Sequence, residues 1–189
     1  MRIISGSNKG KKLIMPNDKT TRPLKDMAKE SIFNILAHAK YINFHLKDSK
    51  VLDLFSGIGS FGLECISRGS KFVFFLENYS PVLEILRNNI TNLKYENKSK
   101  VINIDAFKIN KNTFKINQKF QIIFCDPPYK EKKIELLIKK IIEMDILEKD
   151  GIVIIHRKKG DLDNYPKKFK VIDKKSYGLS TFVFGKKSN

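Results

Sequence analysis

The sequence has no tryptophan, only two cysteines in 189 residues, and only five arginines (Arg2, Arg22, Arg68, Arg87, Arg157) among its 37 basic residues. Each shortage excludes something. Cys65 and Cys125 stand far apart with no CxxC pair, which leaves no disulfide framework and no thiolate metal cluster, so no metal is expected. Such cysteine usage fits a reduced, cytoplasmic compartment. No apolar run approaches the ~18 residues that cross a bilayer. The opening Met1-Arg2-Ile3-Ile4-Ser5-Gly6 lacks the apolar stretch of a secretory leader, and no membrane association is expected. Repeats, low-complexity tracts and Gly/Ser linkers are absent too. With 41% hydrophobic and 30% charged residues, the chain has the composition of one globular domain, residues 1–189.

What is abundant is positive charge, a formal +17. Drift toward lysine would spread that excess evenly, but it gathers at the two ends. Residues 1–30 hold 8 basic and 3 acidic groups, residues 156–189 hold 10 and 3, and the long middle holds 19 and 14. A polyanionic partner, nucleic acid, is the reading that this placement favours.

Residues 1–23 form a basic, turn-rich extension in which Gly6, Gly10 and Pro16 punctuate two short apolar runs, a pattern that predicts a hairpin. A leading helix over 24–40 follows, with Met27, Ile32, Phe33, Ile35, Leu36 and Ala39 near 3.6-residue spacing. Residues 50–189 then alternate strand and helix. Strands are expected at Val51–Phe55, Phe72–Leu76, Val101–Ile104, Phe120–Cys125 and Gly151–Ile155. Helices are expected after Gly62, from Pro81 and over Ile134–Met144. Two β-rich runs, Phe169–Ile172 and Leu179–Phe184, close the sequence. Such alternation predicts a mostly parallel, doubly covered sheet, an α/β fold, ending in an antiparallel pair at one edge.

Asp53-Leu54-Phe55-Ser56-Gly57-Ile58-Gly59-Ser60-Phe61-Gly62 places three glycines in G-x-G-x-x-G register after a strand. Glycines allow the tight turn and the close approach of a ligand. Asp53, set against this turn, would repel a pyrophosphate and suit a cationic or hydroxyl-bearing ligand, which disfavours a dinucleotide. Glu77 ends the second strand, where a carboxylate can grip two ribose hydroxyls, with Asn78 beside it. Asp105 ends the third and can accept from an adenine amine, with Ala106 and Phe107 beside the ring. Three acids at the carboxyl ends of three successive strands describe an adenosine pocket without phosphates.

The fourth strand ends in Asp126-Pro127-Pro128-Tyr129. Two prolines fix φ and remove two donors, which frees carbonyls to face a site. Asp126 and the Pro127 carbonyl can both accept from one exocyclic NH₂, while Tyr129 offers a ring on which a base stacks. An aromatic amine is a poor nucleophile because its lone pair is delocalised. Two acceptors orient it toward a methyl donor, and the gain is positional and electrostatic.

These residues resemble the class I S-adenosylmethionine (SAM) methyltransferases acting on base amines, and within them the bacterial RsmD-type 16S rRNA (guanine-N2)-methyltransferases. The similarity runs from the basic opening through Lys9-Gly10-Lys11-Lys12-Leu13 and Arg22-Pro23 with Asp26, Lys29-Glu30-Ser31 and Phe33-Asn34-Ile35-Leu36. It continues in the glycine loop, in Asp-Pro-Pro-Tyr and in Tyr177-Gly178 with Ser180. The resemblance implies a Rossmann-like seven-stranded sheet with an antiparallel last strand. It implies SAM as donor, held by Asp53, Ser56, Gly57, Gly59, Glu77, Asn78, Asp105, Ala106 and Asp126, and a guanine held by Asp126, Pro127, Pro128 and Tyr129. Arg2, Lys9, Lys11, Lys12 and Arg22 would hold phosphates of small-subunit rRNA, on an assembled or partly assembled 30S particle, and the extension would fold over the cofactor. A monomer is expected. Lys9 and Lys29 replace family arginines, which predicts looser phosphate contacts, and His156 is expected at the surface. An adenine-N6 methyltransferase on DNA or RNA shares the pocket chemistry. A silent RNA-binding assembly factor on the same scaffold would have lost SAM binding.

Overall fold

The computed structural model describes residues 1–16 and 26–188. Its elements run α1 (Asp26–His38), β1 (Lys50–Asp53), α2 (Ser60–Ser67), β2 (Phe72–Glu77), α3 (Ser80–Asn92), β3 (Ser99–Asn103), β4 (Phe120–Cys125), α4 (Ile134–Glu143), β5 (Leu147–Lys158), β6 (Phe169–Tyr177) and β7 (Ser180–Lys187). The expected first residue of the leading helix, Leu24, lies outside the described residues, as do Arg22 and Pro23.

One seven-stranded sheet has the order β3-β2-β1-β4-β5-β7-β6. β1 pairs in parallel with both β2 and β4, which makes the β1/β4 boundary the point where the chain reverses its direction of winding. Open α/β sheets bind ligands at the carboxyl side of that boundary. The last two strands form the expected antiparallel pair at one edge, with β7 lying between β5 and β6, antiparallel to both, and β6 outermost. A two-residue turn, Gly178-Leu179, joins β6 to β7, with Gly178 at φ 57.

Both faces of the sheet are covered, and the strand residues alternate accordingly. Val51, Val73, Phe75, Ile122, Phe124, Ile154 and Phe184 pack with α1, α2 and α3. Leu52, Leu76, Ile123, Cys125, Val153 and Ile155 pack on the other side with α4. A stack of rings, Phe33 on Phe61 at 5.3 Å and Phe61 on Phe124 at 3.9 Å, ties α1 through α2 to β4.

The N-terminal segment bends back on itself: Ile3 N–H donates to Lys11 O, Gly10 N–H to Ile3 O, and Arg2 bridges Lys12. Its turn rests at the far end of α2, where Ser7 N–H meets Ser67 O and Asn8 N–H meets Ser67 Oγ. Its open end lies at the start of α2, where Ser60 Oγ contacts Met1 Sδ at 3.4 Å. Asn89 then clasps Ile14 in both directions, accepting from its N–H and donating to its carbonyl.

Candidate active site

A cavity of about 630 Å³ opens at the carboxyl ends of β1, β2 and β4. Its wall carries Asp53, Ser56, Gly57, Glu77, Asn78, Asp105, Asp126, Pro127, Pro128 and Tyr129, which the sequence singled out, together with Phe55, Phe107, Phe124, Lys130 and His156, among others. Gly59 and Ala106 stand behind the wall.

The three loop glycines are needed for different reasons. Gly57 has φ 52 and nothing within 4 Å of where a Cβ would stand, so its backbone offers open space to a ligand. Gly59, the N-cap of α2 at φ 86, would drive a Cβ to 2.6 Å from Leu86. Gly62 sits against the Phe75 ring, 2.3 Å from the position of a Cβ. The loop is rooted by Leu54 N–H on Phe124 O, Ser56 N–H on Leu76 O and Ser56 Oγ on Asp53 O.

Asp53 is 1% exposed and accepts from Gly62 N–H through Oδ2, while Oδ1 is buried with no partner among the described residues. Burial, with the nearby charges of Asp126 and Glu77, pushes its pKa up to about 8 against the opposing Gly62 N–H. A buried carboxylate with an orphaned oxygen on a cavity wall is suited to an incoming cation.

Glu77 is held more firmly than expected. Its Oε2 accepts from Gly57 N–H, and its Oε1 accepts from both Asn78 and Tyr79 N–H. Three of its four lone-pair positions are taken by backbone, so a grip on two ribose hydroxyls requires one of these bonds to open. Asp105 lies two residues beyond β3 rather than at its end, and its Oδ1 caps a 3-10 turn by accepting from Phe107 N–H. That turn brings the Phe107 ring to 5.8 Å from Phe55, an apolar wall beside the carboxylate.

In the loop after β4, the Pro128 carbonyl accepts from Glu131 N–H. The Pro127 carbonyl has no donor among the described residues. Asp126 Oδ1 accepts from His156 Nδ1 at 2.7 Å. His156 overturns the surface expectation: it is 7% exposed, on β5, with its ring stacked on Phe182 of β7 at 4.6 Å. Tyr129 Oη lies 3.4 Å from His156 Nε2 and 3.5 Å from Ser180 Oγ. The sequence held a signal for this. A histidine at the end of the apolar run Ile152–Ile155 belongs to a buried strand, and a buried imidazole needs a partner.

The basic residues singled out in the N-terminal segment are divided between its two ends. No residue of 1–16 lines the cavity. Lys9 belongs to the turn at the far end of α2, whereas Arg2 and Lys12 belong to the open end. Arg2 is exposed and pairs with Asp26. Lys29 makes no phosphate contact: it is fully buried, 3.5 Å from Glu64. Lys130 lines the main cavity, and Lys130 and Lys132 both line a neighbouring cleft of about 330 Å³ that shares Tyr129 and Lys130 with it. Among the described residues no group of three His, Cys, Asp or Glu is placed to hold a metal ion, and no helix is long and apolar enough to cross a membrane.

The model of the family described as Conserved hypothetical protein 95 matches residues 1–186. The chain belongs to this family. Ribosomal RNA small subunit methyltransferase D of Haemophilus influenzae is 30% identical to it over 186 residues, 96% of this chain and 91% of that one. The protein of the same name from Escherichia coli K12 is 31% identical, over 82% of this chain and 73% of its own. Among solved structures, HI0767 of Haemophilus influenzae shares 29% identity at a TM-score of 0.77, covering 100% of this chain and 98% of that one. SMU.776, solved in complex with SAH, shares the fold at a TM-score of 0.65 and 16% identity, over 83% of this chain and 48% of its own. The protein is therefore an RsmD-type, SAM-dependent methyltransferase with the class I fold, its seventh strand antiparallel within an otherwise parallel sheet.

Proposed function

We propose that the protein transfers the methyl group of SAM to the exocyclic N2 of a guanine in small-subunit (16S) rRNA. It does so as a cytoplasmic monomer, on an assembled or partly assembled 30S particle. The observation that carries this reading is the continuity of one cavity. The acid-lined end at Asp53, Glu77 and Asp105 runs without interruption into the acceptor pair of Asp126 and Pro127.

Bound SAM supplies an electrophilic methyl group. Asp53 offers its unpartnered oxygen to the donor's ammonium, and Gly57 lets the donor lie against backbone. Glu77 faces the ribose, and Asp105 with Phe107 faces the adenine. At the other end, Asp126 Oδ2 and the Pro127 carbonyl each accept a hydrogen bond from one N–H of the guanine NH₂. That geometry turns the nitrogen lone pair toward the methyl. As the N–C bond forms the donor's C–S bond would break, its electron pair returning to sulfur in the thioether product, and Asp126 stabilises the positive charge that develops on nitrogen. The amine then loses its proton to Asp126 or to water. Extracting the base from structured RNA costs a few kcal/mol, and stacking on Tyr129 returns about 1–3 kcal/mol. The names of the Haemophilus and Escherichia relatives support the rRNA substrate. The lysine excess at both ends supports a nucleic-acid partner.

The test is labelled methyl transfer to small subunits from a strain lacking the enzyme, followed by digestion to nucleosides. Label in N2-methylguanosine is expected. Label in N6-methyladenosine would move the activity to adenine, and SAM binding with no label would move it to another nucleic acid. Loss of SAM binding altogether would leave a silent assembly factor.

A further inference from the structure

We propose that His156 is the positioning residue of the methyl-accepting loop, a strut that fixes the Asp126 carboxylate and the Tyr129 ring relative to each other. It rests on the reading of Asp126 and Tyr129 as the groups that hold the target base.

The chemistry of the contacts sets the direction of each hydrogen bond. An ionised carboxylate only accepts, so the 2.7 Å contact requires the proton on Nδ1. In neutral imidazole Nε2 is then an acceptor, and it faces the Tyr129 hydroxyl at 3.4 Å. With the imidazole neutral, donors run one way, from Tyr129 O–H to Nε2 and from Nδ1–H to Asp126. One rigid ring joins the residue on which the base stacks to the residue that accepts from its amine.

The ring itself cannot turn freely. It stacks on Phe182 at 4.6 Å with 20° between planes, and Tyr129 meets it edge-on at 81°. Its backbone lies in the interior of the sheet, where His156 pairs with Phe182. The consequence for Asp126 is specific. With Oδ1 held by the imidazole, the plane of the carboxylate is set and Oδ2 is the oxygen left for the amine. A carboxylate free to rotate would present either oxygen at a range of angles. Misplacement of a reacting group by an ångström costs on the order of 100-fold in rate. The two prolines donate no hydrogen bonds of their own, so side-chain contacts at Asp126 and Tyr129 bear on how the loop is set, together with the Glu131 N–H on the Pro128 carbonyl.

Three substitutions separate the contacts. His156→Asn places an amide N–H near the position of Nδ1 and keeps the bond to Asp126. His156→Gln reaches toward Tyr129 in place of Nε2. His156→Phe preserves the stack on Phe182 and removes both nitrogens. We expect His156→Phe and His156→Gln to lower kcat on 30S particles about 10–100-fold, with KM for the particle and Kd for SAM within about 3-fold of the parent. His156→Asn should recover most of that loss. Wild-type kcat in His156→Phe overturns the proposal, as does recovery by Gln rather than Asn. So does a defect confined to KM or to SAM binding. A readout independent of turnover keeps the inference separate from the rRNA assignment. The Nδ1 proton should give a downfield NMR signal that vanishes in His156→Phe and in Asp126→Leu. If that signal is present while the parent methylates no RNA, the substrate reading fails and the strut stands. If the signal is absent, the strut fails whatever the substrate.

Discussion

Glu64 and Lys29 face each other in the protein interior, Oε2 to Nζ 3.5 Å, and neither side chain is exposed. Glu64 also accepts from Ile4 N–H, Ser5 N–H and Arg68 Nε, while Lys29 donates to Arg2 O. The pair thereby latches the N-terminal segment to α1 and α2 at once. Burial holds the Lys29 ammonium below the ordinary lysine range, against the pull of Glu64 and Asp26. Glu64→Ala strands that cation together with two backbone donors, and should cost about 3–5 kcal/mol. Lys29→Met leaves Glu64 with three donors and should cost less. Denaturant midpoints at constant m-value compare the two, and faster proteolysis within residues 1–16 of Glu64→Ala would mark release of the latch.

Asp53 ties stability and donor binding to pH. Its folded pKa of about 8 lies above the ordinary carboxyl value. Between pH 4 and 8 the unfolded chain therefore ionises first, and this residue's contribution to stability falls as pH rises. Asp53→Asn removes the dependence and should flatten stability over that window, by an amount on the order of a few kcal/mol. A cation docking on Oδ1 forces ionisation, so SAM binding at pH 7 should release close to one proton. Calorimetry in buffers of different ionisation heat reads that proton. In Asp53→Asn the release should disappear and affinity should drop at least tenfold.

The glycine loop separates packing from ligand approach. Gly62→Ala forces a methyl into the Phe75 ring and should cost about 1–3 kcal/mol. Gly57→Ala meets no atom, so apart from about 1–2 kcal/mol for its positive φ the fold is unaffected. Its methyl would fill the space left for the donor, and SAM affinity should suffer more than stability. Thermal melts alongside SAM titrations should rank the two variants in opposite order.

The positions of the lysines predict which of them hold RNA. Lys130 and Lys132 share a cleft with Tyr129, whereas Lys9 is on the turn against the far end of α2. Paired replacement of Lys130 and Lys132 by Glu should raise KM for 30S particles about tenfold or more and flatten its salt dependence. Lys9→Glu should move KM by less than about 3-fold. A larger effect at Lys9 would place the RNA along the N-terminal segment instead.

Local pattern made much of this architecture legible. β4 was bounded correctly because Phe120–Cys125 is a continuous apolar run closed by Asp126-Pro127. The acids at the strand ends were visible because a buried strand ends where polarity returns. What escaped depends on pairing between distant segments. His156 gains its meaning from Asp126, at the neighbouring strand's exit, and from Phe182, on a strand whose pairing with β5 no local pattern specifies. Glu77 seemed free because its three partners are backbone N–H groups, which carry no signal in a sequence. Lys29 does carry a local signal: it stands three and four residues before Ile32 and Phe33, on the buried face of α1. The insertion of β7 between β5 and β6 is a property of the whole sheet, and no window of residues contains it.

That insertion sets the order in which the enzyme can be completed during its own synthesis. β6 is made before β7, yet among the described residues β7 is its one neighbour in the sheet. Until β7 is made, β6 has no strand to join and β5 presents an open edge. The same late strand brings Phe182 beneath His156 and Ser180 toward Tyr129. A chain ending before residue 180 would contain the glycine loop and the acids of the donor pocket but lack Ser180 and Phe182, the support of the base-holding end. The support of the base-holding end is thus carried by the last strand in the sequence, while the glycine loop and the acids of the donor pocket come from strands made far earlier.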